Sequence, residues 1–369
     1  MTVTSEKTQS HQVLPKVAAD PVAWIWRNLF SDWRQGLLTL VVLYALFQIV
    51  PSLVNWFLLD ATWRGTREDC VAASGACWAF VNARWGQFIY GFYPVGARWR
   101  VDLTFLLLVA SLVPLFLPRL PRKGWIICGI AVLFPVIAFI LLHGGILGLD
   151  VVPTPRWGGF MLTLVVAISG MAGSLPLGIL LALGRRSKMP AIRIFCISFI
   201  ELFRAVPLIT VLFMASVMLP LFLPSGFTVD KLLRALIGVA IFNAALMAEV
   251  VRGGLQAIPK GQYEAATASG LGYWRMMIFI ILPQALRLVI PGIVNTYVAI
   301  IKDTTLVLII GLFDLLGIVQ AGASASAWLS ASATKTGYVF AGMGFWILCF
   351  SLSRYSMYLE RQLSTDHRS

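Results

Sequence analysis

The sequence predicts an all-α polytopic membrane protein with about eight transmembrane helices, and three observations carry that expectation. Of 369 residues, 59% are hydrophobic and only 12% charged, with a mean hydropathy of +0.84; a soluble domain of this length needs far more polar surface. The apolar residues gather into runs near the ~20 residues that cross a hydrocarbon core. The 29 lysines and arginines, which give a formal charge of +13, lie between those runs and form no stripe. The charge therefore reads as membrane topology and not as a nucleic-acid surface.

Residues 1–35 read as a cytoplasmic arm followed by an interfacial helix. They lack a short apolar core with a cleavage site, so the amino terminus is expected to stay inside. Residues 1–19 are polar and expected to be disordered. Asp20-Pro21 is a cap and first-turn proline, and Trp26, Leu29, Phe30 and Trp33 fall on one helical face suited to the headgroup layer.

Residues 36–150 read as a three-span extension, with spans at about 36–58, 101–117 and 125–147. The loop at about 60–100 holds Cys70 and Cys77, the two cysteines outside apolar runs. In a periplasmic loop they can pair, and two reduced thiols read nearly as well from the sequence. Cys128, Cys196 and Cys349 sit in apolar runs as small filler. His11, His143 and His367 are far apart, so no metal site is expected.

Residues 151–369 form the second half. A span at 160–184 carries Gly170, Ser174 and Gly178 at four-residue intervals, a stripe that lets a neighbouring helix approach closely. Arg185, Arg186, Lys188 and Arg193 mark the next loop as cytoplasmic. Further spans are expected at 194–219, 236–251, 284–301 and 338–359, with a polar break at 302–305 and a small-residue loop at 321–336. Eight spans place both termini on one side. About eighteen of the basic residues, among them Lys7, Lys16, Arg119, Arg122, Arg252, Lys260 and Arg368, then fall inside, as the positive-inside rule requires.

Four segments carry the chemistry. In 258–283, Pro259 opens a short helix that Gly270 ends, Glu264 projects beside Ala265 and Ala266 as a docking surface, and Pro283 kinks the helix that follows. Glu201 and Arg204 stand at i, i+3 in an apolar run, one turn before Pro207, and read either as a local pair near the inner interface or as part of a solute path. Glu249 and Arg252 repeat the spacing beside the docking segment, where an interface pair is the better reading. Lys302, Asp303, Thr304 and Thr305 interrupt an apolar run about 22 Å above Arg287 at ~1.5 Å per residue. An irregular polar break at that depth lines a cavity, where paired charges can hold a zwitterion.

The register Glu264-Ala265-Ala266, Gly270, Ile280, Leu282-Pro283 resembles the EAA loop of ABC importer permeases. Glu201, Arg204, Pro207 and Leu208, then Glu249, Val251, Arg252, Gly253 and Gly254, then Lys302 to Leu306, are similar to three typical runs of the polar amino-acid uptake family. The resemblance covers 157–361 and implies a five-span type I importer permease core. The extension resembles that of the M-type permease subunit of general L-amino-acid transporters.

This resemblance implies an inner-membrane permease that imports L-amino acids of broad type and is not itself an enzyme. It implies a coupling helix seated on an ATPase dimer that carries ATP and Mg, with no cofactor in this chain. It further implies a second homologous permease, a periplasmic amino-acid-binding protein and surrounding lipid. The chain has no G-x-x-x-x-G-K-[ST] phosphate loop, in keeping with a separate ATPase. The rival readings are an ion-coupled secondary transporter or channel, in which Glu201 or Asp303 binds the ion, and an ABC importer of another small polar solute. The absence of an internal repeat counts against the secondary transporter.

Overall fold

The computed structural model describes residues 21–116, 123–146, 148–222, 224 and 228–365, and their regular elements are helices. The expected arm at 1–19, the cap at Asp20, Lys7, His11, Lys16, Arg119, Arg122, His367 and Arg368 lie outside the described residues, as does the side chain of Cys128. The chain divides into two compact units, one of residues 1–61 and 73–76, the other of 62–72 and 77–369.

In the first unit, α1 (Pro21–Leu29) stops before Trp33, which corrects the expected single interfacial helix. The Asp32 carboxylate accepts from the Trp33 N–H at 2.8 Å and caps α2 (Trp33–Val54). Trp33 therefore opens the span. The helix continues through a π turn to Leu59, and α2 has no buried residue, as expected of a helix solvated by lipid.

The second unit begins with the segment expected to be a long loop. It is instead helical, with α3 (Arg67–Ala72) and α4 (Trp78–Tyr90), because apolar side chains have somewhere to go. Phe80 and Phe88 are fully buried with Leu315, Ile318, Val319 and Ala333. A disulfide joins Cys70 to Cys77, with Cα atoms 5.4 Å apart. Ser332 Oγ donates to the Cys70 carbonyl at 2.9 Å, and the Cys77 N–H donates to Thr336 Oγ1 at 2.8 Å. These two hydrogen bonds fasten the disulfide-bonded cap to the start of the last helix. Replacing both cysteines with serine is expected to loosen α3 by about 2 kcal/mol, the scale for so short a ring, read as faster proteolysis within residues 62–77. Mass spectrometry finding both thiols free in protein made under oxidising conditions would remove the basis for this.

Next come α5 (Arg98–Phe116) and α6 (Lys123–His143), then α7 (Gly159–Arg185), α8 (Pro190–Ala205), α9 (Leu208–Phe213), α10 (Leu219–Phe222) and α11 (Lys231–Ala257). After them follow α12 (Lys260–Ala268), α13 (Tyr273–Met276), α14 (Leu282–Leu288), α15 (Ile290–Asp303), α16 (Leu315–Ser324) and α17 (Ala331–Thr365). Among the described residues five helices are long and apolar enough to cross a membrane, at 33–59, 159–185, 231–257, 290–310 and 331–362; a bent pair makes a possible sixth.

Three expectations are corrected. The span at 194–219 is not continuous: α8 ends at Val206, Pro207 removes a backbone donor and holds its predecessor out of helical ψ, and the chain turns by 105° into Leu208–Phe222. The polar break at 302–305 is not irregular: α15 runs to Asp303 and tightens into a 3₁₀ helix over Thr304–Ile310. Thr304 and Thr305 donate to the carbonyls of Ile301 and Lys302 at 2.8 and 2.9 Å, so polar side chains there reinforce helical backbone. The small-residue loop at 321–336 is mostly helix, because buried Asp314 caps α16 through the Gly317 N–H at 2.9 Å and α16 buries Ile318, Val319 and Ala323 in the core with Phe80 and Phe88.

The α7–α11 seam holds as expected. A Cβ at Gly178 would stand 2.8 Å from Met247 Cβ and 3.1 Å from the Ala244 carbonyl, and one at Gly170 would stand 2.9 Å from Val239. Gly178→Leu is expected to block assembly, since backbone cannot yield as a flexible side chain does; normal membrane levels of that variant would contradict the seam.

Candidate functional site

The short helix α12 and the charged ends of α7, α8 and α11 form one connected site. Its helix starts after Pro259 and closes at a left-handed Gly270, φ +72°. There the Gly270 N–H bonds the Thr267 carbonyl at 2.9 Å and the Leu271 N–H bonds the Ala266 carbonyl at 3.2 Å, satisfying the last turn as glycine caps do. Glu264 and Ala265 are exposed. Ala266 is buried, which corrects the expectation that both alanines border the docking surface.

What holds α12 is Tyr263. Arg186 donates to the Tyr263 hydroxyl and to the Leu255 carbonyl, each at 3.1 Å, and the Tyr263 hydroxyl donates to the same carbonyl. The guanidinium also lies 5.5 Å from the ring centroid, an arrangement that adds cation–π attraction. One arginine therefore ties α12 to the ends of α7 and α11. On the far side α13 passes into a π turn over Met277–Ile281 before Pro283; the wider turn accommodates the missing proline donor. Ile280 and Leu282 pack beside Met277, Ile281 and Ala285.

The neighbour of Arg186 is the centre of an ionic cluster. Arg185 Nη1 lies 2.5 Å from Glu249 and 3.2 Å from Glu201. Arg252 donates to Glu249 Oε2 through Nη2 at 2.7 Å and Nε at 2.9 Å. Arg204 stands farther off, 3.8 Å from Glu201 and 4.0 Å from Glu249. Glu249 is the least exposed member, its side chain 17% accessible, and three guanidinium groups surround its carboxylate. The two i, i+3 pairs read separately in the sequence are thus one network across α7, α8 and α11, and Arg185, read there only as a topology marker, is its hub. Gly254 permits the next contact: a Cβ would meet the Ala285 carbonyl at 2.6 Å, whereas at Gly253 it would meet nothing within 4 Å.

Lys302 and Asp303 lie elsewhere. Among the described residues no ion pair joins them to this cluster. Thr304 is fully buried with its hydroxyl bonded to backbone, so it belongs to the wall and not to a solute surface, and Lys302 is exposed.

Comparison with known proteins bears on the whole chain. Residues 174–365 match the description "Binding-protein-dependent transport system inner membrane component". The chain is 54% identical over 345 residues to the inner membrane amino-acid ABC transporter permease protein YhdY of Escherichia coli, with 93% of each chain covered. It is 40% identical over 416 residues to the glutamate/glutamine/aspartate/asparagine transport system permease protein BztC of Rhodobacter capsulatus, with 94% of each covered. A third similar protein, the arginine transport system permease protein ArtQ of Bacillus subtilis, is 33% identical and pairs 92% of its length with only 56% of this chain.

Proposed function

We propose, for a chain that belongs to the binding-protein-dependent transport system inner membrane components and is a multi-pass permease subunit of an amino-acid ABC importer, that α12 is the helix through which a separate ATPase drives transport. The observation that supports this reading is the exposed Glu264-Ala265 edge of α12, held to the helix bundle through Tyr263 and Arg186. A carboxylate beside a methyl side chain admits close approach of another backbone and offers one charge to it. ATP and Mg are then bound by an ATPase dimer. Its closure pulls on α12, the pull reaches α7 through Arg186, and the adjacent Arg185 shifts its two carboxylates on α8 and α11. Cysteine placed at Ala265 is expected to cross-link to the co-purified ATPase in the reconstituted complex, with the yield changing on ATP binding. A cross-link to no other subunit would overturn the assignment.

In this reading the coupling side is cytoplasmic, both termini lie there, and the disulfide-bonded cap faces the periplasm and the solute-binding protein. A second, homologous permease completes the translocation path. The solutes are L-amino acids of varied side chain, recognised by the groups they share. Asp303, half-buried at the end of α15, meets the solute ammonium, and Lys302 meets its carboxylate. Arg204 is left out of that role, because its charge is already engaged by Glu201 and Glu249. An unpaired charge in a low-dielectric passage costs several kcal/mol, so opposite charges at one level suit a zwitterion. Asp303→Asn is expected to weaken uptake of acidic, neutral and basic amino acids by similar factors, with assembly intact. Loss confined to basic solutes would make Asp303 a side-chain selector, and no loss would remove it from the path.

A further inference from the structure

The helices of the extension leave a space against the rest of the second unit that the coupling and solute assignments do not use. At the disulfide-bearing side α5 and α6 are joined firmly: the Tyr93 hydroxyl donates to the Leu142 carbonyl at 2.8 Å, Arg100 donates to the Asp150 carbonyl at 2.7 Å, and Tyr93, Val101 and Leu142 share a core with Trp157 and Met161. Toward the membrane interior the four helices α5, α6, α7 and α11 surround a cavity of about 410 Å³. Its walls include Leu108, Phe134, Ala138, Met161, Ile168 and Leu236. Polar groups gather at the joined end. There Thr154 Oγ1 donates to the Asp230 carboxylate at 2.5 Å, and His143, stacked on Phe139, has a buried Nδ1 with no hydrogen-bond partner among the described residues.

Dimensions select the occupant. Leu108 and Ser169, both in the wall, lie ten residues from the starts of α5 and α7, which is about 15 Å at 1.5 Å per residue and half of a ~30 Å hydrocarbon core. The cavity is thus one leaflet deep. That depth is the reach of one acyl chain, which covers half of the hydrocarbon core. Water is disfavoured by the apolar wall, and an empty space of this size forfeits the packing contacts of its lining. Phe139 and Leu233 line the cavity and are also exposed at 56% and 48%, so the space opens sideways between α6 and α11, where lipid stands.

We propose that this cavity holds one acyl chain of a membrane phospholipid from the leaflet on the disulfide side, with the headgroup at the rim formed by His143, Thr154 and Asp230. The lipid acts as a wedge that fixes α5 and α6 against the core, which gives the extension a lipid-dependent position. The Asp230 carboxylate suits a headgroup that carries an ammonium.

The test uses the complete importer in vesicles of phosphatidylethanolamine and phosphatidylglycerol with a trace of phosphatidylethanolamine bearing a mid-chain diazirine. After transfer to detergent and washing, irradiation and peptide mapping are expected to place adducts at Leu108, Ala138 and Ile168, while Leu180, an exposed α7 residue outside the cavity, gives none because its lipid has been washed away. Ala138→Phe, which fills the deep part of the space, is expected to lower the cavity adducts by roughly tenfold or more, the scale of displacing a few buried methylenes. Ser169→Leu provides the same readout if the first variant does not assemble. Equal retention at Leu180, adducts indifferent to both substitutions, or a cavity found to hold detergent or a partner's polypeptide would each overturn the proposal.

Discussion

Gly270→Val is expected to abolish ATP-driven uptake and solute-stimulated ATPase activity while the subunit remains in the membrane. The residue sits at φ +72°, where a β-branched side chain costs roughly 1–3 kcal/mol. The turn it distorts holds the last carbonyls of α12. Tyr263 still fastens the other end, so the helix is misdirected and not lost. Glu264→Ala tests the same surface by another route: the side chain is exposed, and among the described residues it has no ion pair, so its removal changes stability by no more than about 0.5 kcal/mol. Any large loss of transport then belongs to the partner contact. Gly270→Asn, which tolerates the left-handed region, is expected to restore part of the activity. Normal uptake by both Gly270→Val and Glu264→Ala would end the assignment of α12 as the coupling element.

Arg185→Met is expected to lower uptake tenfold or more without preventing assembly with the ATPase. It removes the shortest contact of Glu249 and, among the described residues, the only ion pair joining Glu201 to α7. A charge-assisted hydrogen bond to a partly buried group is worth about 1.5–3 kcal/mol, and Arg252 still covers Glu249, which places the effect near the lower end. Arg185→Lys is expected to rescue in part, because a single nitrogen, Nη1, makes both contacts and a lysine ammonium supplies the charge without the planar guanidinium geometry. The informative measurement is a double-mutant cycle of uptake with Glu201→Gln: a coupling energy near zero would show that the two groups act separately, and the cluster would then be only an interface feature.

The sequence made legible whatever is local. The coupling segment could be read because its proline, carboxylate, glycine and second proline all lie within 26 consecutive residues, and α7 because an uninterrupted apolar run with a small-residue stripe admits few other readings. The hub role of Arg185 was hidden because its partners are 16 and 64 residues away. A signal existed in the two carboxylates, Glu201 and Glu249, each near the same inner level and each with its own arginine, yet it did not name a third. Pro207 was visible, but the turn it causes depends on where the chain goes next. At Thr304 and Thr305 polarity suggests an irregular break where the backbone is helical, since hydroxyls that bond their own helix cannot be told from hydroxyls that face a cavity by composition alone. The segment around Phe80 and Phe88 read as loop because its burial depends on α16 and α17, more than 200 residues later.

That last separation sets a schedule for biogenesis. Cys77 bonds Thr336 across 259 residues, and at a synthesis rate of about 5–20 residues per second the partner emerges roughly 13–50 s afterwards. Throughout that interval Phe80 and Phe88 have no floor beneath them, and the segment must wait as a sticky, partly formed hairpin. Disulfide closure is local and needs no later residue, so oxidation during the wait would narrow the alternatives available to the nascent segment before its docking surface exists. The cysteines then serve the growing chain as much as the finished one. Retarded oxidation is accordingly expected to leave newly made subunits prone to degradation, while mature subunits tolerate the same reductant.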